Sequence, residues 1–158
     1  MNLRILMAMA ALAMSVCSAA ADSTKKEWTL EEREYWVKLQ EELDAWVKKT
    51  MDHCPNATIS AKYVQETYRG KLTAGGNYGL DQMSRGRCQA AIASAMEVCL
   101  NGDAGKKSVA KGLRAIECSF GVTSYKLVKG TFKTATDGKS DQYDFYLRGM
   151  TEYLKKKL

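Results

Sequence analysis

The stretch Arg85-Gly-Arg-Cys-Gln-Ala-Ala-Ile-Ala-Ser-Ala-Met-Glu-Val-Cys99 carries two cysteines in one apolar, alanine-rich run. It predicts a helix that begins near Asp81 or Ser84 and ends at Leu100, before the C-terminal signal Asn101-Gly102. Cys88 and Cys99 are 11 positions apart, which is about 16 Å along a helix. Because the Cα atoms of a disulfide lie within about 7 Å of each other, these two cysteines cannot pair.

The two cysteines of this helix must therefore bond elsewhere, to Cys54 and Cys118. Two connectivities remain, Cys54–Cys88 with Cys99–Cys118 and Cys54–Cys99 with Cys88–Cys118. The first is preferred, because Cys99 ends the helix and Cys118 follows after a modest connection. The cysteines do not form the close pairs that are typical of zinc sites. The sequence thus predicts two disulfides, no metal and no cofactor.

Export is predicted from the first 21 residues. Arg4 is followed by an apolar run from Ile5 to Cys17 and then by small residues up to Ala21, which is the layout of a cleavable signal peptide. The run is shorter than the roughly 20 apolar residues of a membrane span. A lipid anchor on Cys17 is disfavoured, because a bulky valine precedes it.

We therefore expect residues 1–21 to be removed and residues 22–158 to form one small exported domain, either periplasmic or secreted. An even number of cysteines in such a chain is typical of a disulfide framework. No later segment is long and apolar enough to predict a transmembrane helix.

The fold class predicted for this domain is α+β. A long N-terminal helix begins at a capping box formed by Thr29 and Glu32 and is stopped by Pro55. Its apolar positions recur at helical spacing, and the expected core residues are Trp36, Leu39, Leu43, Trp46 or Val47, and Met51. A loop over residues 70–80 and a short helix from Ala104 to Leu113 follow. A C-terminal helix is capped by Ser140 or Asp141, and its apolar face consists of Tyr143, Tyr146, Leu147, Met150, Tyr153 and Leu154.

From Arg114 onward the apolar period changes from helical spacing to two, which predicts strands. The clearest element is a hairpin over residues 123–136 with a turn at Lys129-Gly130. Together with the strand around Ile116 and Cys118 it predicts a three-stranded antiparallel meander. A fourth strand is an option near residues 57–63, followed by a helical turn around residues 62–69.

The chain is basic, with a formal net charge of +6, which favours weak attraction to anionic surfaces. No recognisable nucleic-acid-binding module accompanies the basic residues, so we expect no specific nucleic-acid binding. The candidate basic surface consists of Lys106, Lys107, Lys111, Arg114, Lys155, Lys156 and Lys157.

Three functions follow as hypotheses. The first is a non-enzymatic module that binds a protein partner in the envelope or outside the cell, because no catalytic, metal or nucleotide motif is found. His53, the only histidine, follows the predicted helix beside the bridged Cys54 and is poorly placed for a catalytic triad. The second hypothesis is attachment to anionic envelope surfaces. The third is a hydrolase with paired carboxylates, drawn from Glu66, Asp81, Asp103, Glu117 and Asp137.

Overall fold

The computed structural model describes residues 27–71, 78–139 and 143–158. The predicted signal segment and the predicted cap at Ser140 or Asp141 lie outside these ranges. The described elements are α1 (Leu30–Met51), β1 (Ser60–Tyr63), a 3-10 turn (Gln65–Tyr68), α2 (Tyr78–Leu100), α3 (Asp103–Gly112), β2 (Ala115–Phe120), β3 (Ser124–Val128), β4 (Thr131–Thr136) and α4 (Tyr143–Lys157). The α+β class is confirmed, with the optional fourth strand present as β1.

The sheet has the order β1-β2-β4-β3, and its pairing corrects the predicted meander. The hairpin over residues 123–136 is present, as β3 and β4 paired antiparallel. Strand β4 of this hairpin, rather than β3, lies beside β2. Strands β2 and β4 are paired in parallel. An all-antiparallel meander is therefore wrong, and β1 also pairs with β2 in parallel.

Burial explains why β4 takes the inner position. Its inward side chains Phe132, Thr134 and Thr136 are all buried, whereas the side chains of β3 are half-buried or exposed. The two turn residues, Lys129 at φ 50° and Gly130 at φ 81°, have the positive φ values of the tight turn that favours hairpins. This turn fixes the hairpin itself, but it does not determine which strand faces β2.

A row of charges on the outer face of the sheet fits the parallel arrangement. Glu117 of β2 lies in register with Lys62 of β1 and Lys133 of β4. Its carboxylate oxygens are 3.2 Å from the Lys62 Nζ and 2.9 Å from the Lys133 Nζ. The hydrogen bond from Lys133 is the main cause that holds the pKa of Glu117 below its ordinary value. Placing β3 beside β2 would remove Lys133 from this row.

Helix α1 forms as the sequence predicts. The Thr29 hydroxyl accepts a hydrogen bond from the Glu32 N–H, and the Glu32 carboxylate accepts one from the Thr29 N–H. The buried face is the predicted one, with Val47 rather than Trp46 at the ambiguous position. On the same helix the Gln40 amide donates to the carbonyl oxygen of Ala61 at 2.8 Å, and so satisfies a polar group of the edge strand β1.

Helix α2 is the centre of the molecule and packs against α1, α3, α4 and the sheet. It begins at Tyr78, inside the stretch that was predicted as a loop over residues 70–80. Its middle is buried and rich in small side chains, including Ala90, Ala91 and Ala95. A helix that is buried on several sides has no single apolar stripe, and small residues let its neighbours approach closely.

The structure forms the second of the two allowed disulfide connectivities. Cys54 bonds to Cys99 and Cys88 bonds to Cys118, with Cα separations of 5.5 and 5.7 Å. The preferred pairing, Cys54–Cys88 with Cys99–Cys118, is therefore wrong. Helix α3 fills the connection between Cys99 and Cys118. Cys99 and Cys118 are therefore near each other in the chain but do not meet in the structure, because β2 passes next to the middle of α2 instead of its end.

Gly105 permits the close packing of α3 on the end of α2. A Cβ atom at this position would overlap the backbone carbonyl oxygen of Val98, whereas a Cβ at Gly86 of α2 would meet no atom within 4 Å. The two glycines are therefore a matched pair of helical positions with opposite steric surroundings.

We expect Gly105→Ala to lower the free energy of unfolding by at least about 2 kcal/mol, because the backbone of α2 must move. Gly86→Ala should raise it by about 0.5–1 kcal/mol, since alanine loses less backbone entropy in a helix. Urea unfolding of the oxidised protein followed by circular dichroism measures both. Equal effects of the two substitutions would contradict the packing of α3 on α2.

Candidate functional site

An open cleft of about 1070 Å³ lies between β3, α4 and the side of α2. We call it the tyrosine cleft, because three of its side chains are tyrosines. Its volume is slightly above the range of about 300–1,000 Å³ that is typical of small-molecule pockets. It is lined by Arg87, Thr123, Ser124, Tyr125, Tyr143, Asp144, Phe145, Tyr146, Arg148 and Gly149.

Arg87 contributes the most unusual side chain of the cleft. It is a cation on the central helix, yet only 4% of its surface is exposed. Its Nε donates a hydrogen bond to the Thr134 hydroxyl of β4 at 3.1 Å. Its Nη1 is buried and has no hydrogen-bond partner within the described part of the chain.

Aromatic rings, rather than an acid, compensate the Arg87 charge. The guanidinium carbon lies 3.4 Å from the centre of the Tyr146 ring and 5.8 Å from that of Tyr125. Among residues 27–71, 78–139 and 143–158, no carboxylate is within ion-pair distance of Arg87, although Asp137 acts on it from further away. Burial is the largest cause that lowers the pKa of Arg87. The cleft therefore contains a desolvated cation with unused hydrogen-bonding capacity.

Tyr125 is held in the wall by its neighbours on α4. Its ring packs edge to face on Tyr153, with 5.4 Å between the ring centres, and a Cβ at Gly149 would lie 3.0 Å from its hydroxyl oxygen. The Tyr153 hydroxyl in turn accepts a hydrogen bond from the Leu127 N–H at 3.1 Å. Strand β3 is thus attached to α4 by a ring contact and by a backbone hydrogen bond.

The rim of the cleft is more polar and more exposed than its floor. Phe145 is an aromatic side chain with 68% of its surface exposed, and its ring packs edge to face on Tyr146 at 5.7 Å. Asp144 and Arg148 lie on the same helix and are both exposed. An exposed phenylalanine beside a buried cation is not explained by packing of the core.

The predicted basic residues lie at the other end of α4. Lys107 and Lys111 of α3 share a depression of about 430 Å³ with Lys157, and we call these three the basic end. Lys106 pairs with Asp103, and Lys155 pairs with Glu152. Arg114 donates its backbone N–H to the Gly130 carbonyl of the hairpin turn, and Lys156 is exposed. Two basic segments that are separate in the chain thus meet in space.

The candidate acids of the hydrolase hypothesis are engaged in separate contacts. Glu66 pairs with Arg69, Asp103 with Lys106, and Glu117 with its two lysines. Asp137 accepts hydrogen bonds from the Thr123 hydroxyl and the Lys139 N–H, and the latter is the main cause that lowers its pKa. The side chain of Asp81 lies outside the described part. His53 is exposed beside the bridged Cys54.

Arg87 is not among the candidate site residues predicted from the sequence. The sequence pattern places Tyr143, Tyr146 and Tyr153 on one apolar face of the last helix and Tyr125 in the predicted hairpin. The available signal was the position of Arg87 next to Cys88, which must face inward to form its disulfide. A cation adjacent to an inward-facing residue on a helix without a polar side is a candidate for burial.

The stack of Arg87 on Tyr146 can be measured by a double-mutant cycle with Arg87→Met and Tyr146→Leu. We expect a coupling free energy of about 1–2 kcal/mol, the range for a desolvated cation–π pair. Denaturant unfolding of the two single variants and of the double variant gives this value. Tyr146→Phe, which keeps the ring, should retain the coupling. If the destabilising effects of Arg87→Met and Tyr146→Leu were additive in the double variant, a direct stack of the guanidinium on the ring would be contradicted.

Within residues 27–71, 78–139 and 143–158, no group of three or more His, Cys, Asp or Glu side chains is arranged to hold a metal ion. No helix in this described part has the length and apolar character needed to cross a membrane. Comparison of the chain with protein-family models, with curated proteins and with solved structures finds no match.

Proposed function

We propose that the protein is an exported, non-enzymatic binding module that holds a protein partner in the tyrosine cleft. The observation that carries this proposal is the composition of the cleft, in which the exposed Phe145 and three half-buried tyrosines surround a buried cation that has no ion-pair partner in the described part of the chain. Aromatic residues and arginine are enriched where proteins bind one another. The partner would insert a side chain or a chain end between β3 and α4.

Phe145 supplies the clearest sign of a contact surface. A large apolar side chain that is mostly exposed contributes little to the stability of an isolated protein, and it stands beside Tyr146 at the mouth of a concave site. Exposed apolar surface rimmed by polar residues is typical of interaction sites. Here Asp144 and Arg148 provide the polar rim.

The described chemistry favours binding over hydrolysis. Asp144 is the one carboxylate in the described lining of the cleft, and hydrolysis by paired carboxylates requires two at a defined separation. Of the acids considered from the sequence, Glu66, Asp103 and Glu117 lie in ion pairs, and Asp137 accepts hydrogen bonds from Thr123 and Lys139. Binding requires only the concave shape, the aromatic side chains and the Arg87 cation of the tyrosine cleft.

Export is part of the proposal. The two disulfides are compatible with an oxidising compartment, such as the periplasm or the extracellular medium. Both are buried and connect separate elements, which is typical of structural rather than catalytic cysteines. We propose that residues 1–21 are the signal that directs the chain there and that residues 22–158 are the mature domain.

Substitution at the rim tests the proposed binding surface. We expect Phe145→Ala to abolish recovery of the partner when the tagged protein is captured from the envelope and medium of its own host without reductant. Its stability should change little, because the ring is exposed. Leu30→Ala is the matched control, since Leu30 is 67% exposed and lies on α1, outside the cleft.

The outcome is read as the ratio of partner to tagged protein in quantitative mass spectrometry. Loss in Phe145→Ala with retention in Leu30→Ala supports the cleft as the binding surface. Equal recovery with both variants would place binding elsewhere. Recovery of the protein alone and monomeric would contradict a stable partner.

A second candidate function, attachment to anionic envelope surfaces, is favoured by one observation. The basic end brings Lys107, Lys111 and Lys157 from two helices to one depression. Grouped cations near an anionic lipid surface contribute about 1 kcal/mol each to binding. Attachment by this route would be electrostatic and would weaken as salt is added.

Charge reversal tests this second candidate. We expect Lys107→Glu, Lys111→Glu and Lys157→Glu together to weaken cosedimentation with phosphatidylglycerol vesicles by more than about 100-fold at low salt. The control is the same reversal at three exposed lysines of α1, Lys38, Lys48 and Lys49, which gives the same net charge. Equal losses in both triple variants, or binding that persists at high salt, would contradict specific attachment through the basic end.

A further inference from the structure

We infer that Arg87 is the anchor for a carboxylate of the ligand at the floor of the tyrosine cleft. This inference rests on the proposed function, because it assigns the chemistry of what the cleft binds. It concerns one ligand group and one protein residue, and it can be tested with small compounds without knowledge of the partner.

Within the described part of the chain, no carboxylate forms an ion pair with Arg87. Buried charges in proteins are normally paired or fully hydrogen-bonded, because their desolvation is costly. The Arg87 guanidinium donates a hydrogen bond to Thr134 and lies over the Tyr146 ring, and a side-chain hydrogen bond with Tyr146 also favours its charged form. A ring compensates only the face of the guanidinium, whereas Nη1 remains buried without an acceptor in the described part of the chain. A bound anion would complete the hydrogen bonding of this group.

Arg87 belongs to the lining of the cleft, so a bound ligand would lie next to its side chain. Because Nη1 is buried, a ligand reaches this atom only when the side chains that cover it move aside. The orientation of Arg87 is fixed by three constraints, namely the Thr134 bond, the Tyr146 ring and the adjacent disulfide at Cys88. A cation held in one orientation loses little freedom when a ligand binds, which favours affinity.

The shape and charge of the site favour a carboxylate. The planar guanidinium matches a planar carboxylate, with two parallel hydrogen bonds. In the described lining the two cations Arg87 and Arg148 and the one acid Asp144 leave a formal charge of +1. A single carboxylate balances this charge, whereas a phosphate dianion exceeds it. The surrounding rings favour an apolar or aromatic body next to the carboxylate.

Such a carboxylate has two sources in a protein partner, which are the end of a chain and the side chain of Asp or Glu. Both present the same planar group to Arg87, so the shared chemistry is what the structure assigns. The two sources differ in where the carboxylate is attached to the backbone. Capped amino acids that carry only one of the two carboxylates can distinguish between them.

The experiment uses the purified oxidised protein and nuclear magnetic resonance of the Arg87 Nε–H, which reports directly on the site. Three probes are titrated: N-acetylphenylalanine, its neutral amide, and N-acetylglutamate with an amidated α-carboxyl group. We expect saturable shifts of the Arg87 signal with at least one acid, and binding of the neutral amide that is about 10- to 100-fold weaker, the range for losing a charged hydrogen bond. Preference for the first acid identifies a chain end, and preference for the third probe identifies a side chain.

Two results would overturn the inference. One is equal binding of N-acetylphenylalanine and its amide, which would mean that the rings alone hold the ligand. The other is a saturable response to inorganic phosphate with no response to either acid. Neither result depends on a variant, so a folding defect cannot obscure the answer.

Variants then separate this inference from the proposed function. Arg87→Lys keeps the positive charge but loses the planar guanidinium that forms two parallel hydrogen bonds, and we expect it to bind the preferred acid about 10-fold more weakly. Arg87→Met should lose the preference for the acid over its amide. If the partner is still captured in a Phe145-dependent way but no acid binds, only the role of Arg87 is wrong. If acids bind at Arg87 but no partner is captured, the protein-binding proposal is wrong and the anion site remains.

Discussion

The attachment of helix α2 by two disulfides is the constraint on which the rest of the structure depends. Cys99 bonds the end of α2 to Cys54 in the segment between α1 and β1, and Cys88 bonds the middle of α2 to β2. Small side chains along α2 then allow α1, α3, α4 and the sheet to pack around it. In the chain-entropy description, closing loops of 45 and 30 residues contributes about 4 kcal/mol for each bridge. The two contributions together are comparable to the net free energy of unfolding of a domain of this size.

Local features of the fold could be predicted from the sequence, because they depend on neighbouring residues. The capping box of α1, its buried face and the hairpin around Lys129-Gly130 are all present. The placement of the hairpin against β2 could not be predicted, since alternation gives the faces of a strand but not its neighbour. The disulfide pairing failed for a related reason. Helix geometry excluded one pairing, whereas the choice between the other two depended on how α3 returns the chain to the sheet.

The candidate site is less visible in the sequence than the fold, because its residues are of types that normally fill a core. The tyrosines of α4 lie at helical spacing, and a pattern of this kind does not distinguish a wall that faces a cleft from one that faces the interior. Arg87 was not recognised because burial of a cation is a property of the folded structure. The basic residues were predicted as a candidate surface, and the structure places Lys107 and Lys111 of α3 at one depression with Lys157 of α4.

The position of Arg87 beside Cys88 connects the disulfide framework to the proposed site. Because Cys88 is bonded to Cys118, the turn of α2 that carries Arg87 is fixed over the sheet, and Thr134 of the neighbouring strand is in place to accept the hydrogen bond from its Nε. The other wall of the cleft, formed by β3 and α4, is attached by the Tyr153 hydrogen bond and by aromatic contacts. The floor is therefore covalently fixed while the rim is exposed. In the function proposed above, such an arrangement would orient Arg87 before a ligand binds and leave the rim free to fit the partner.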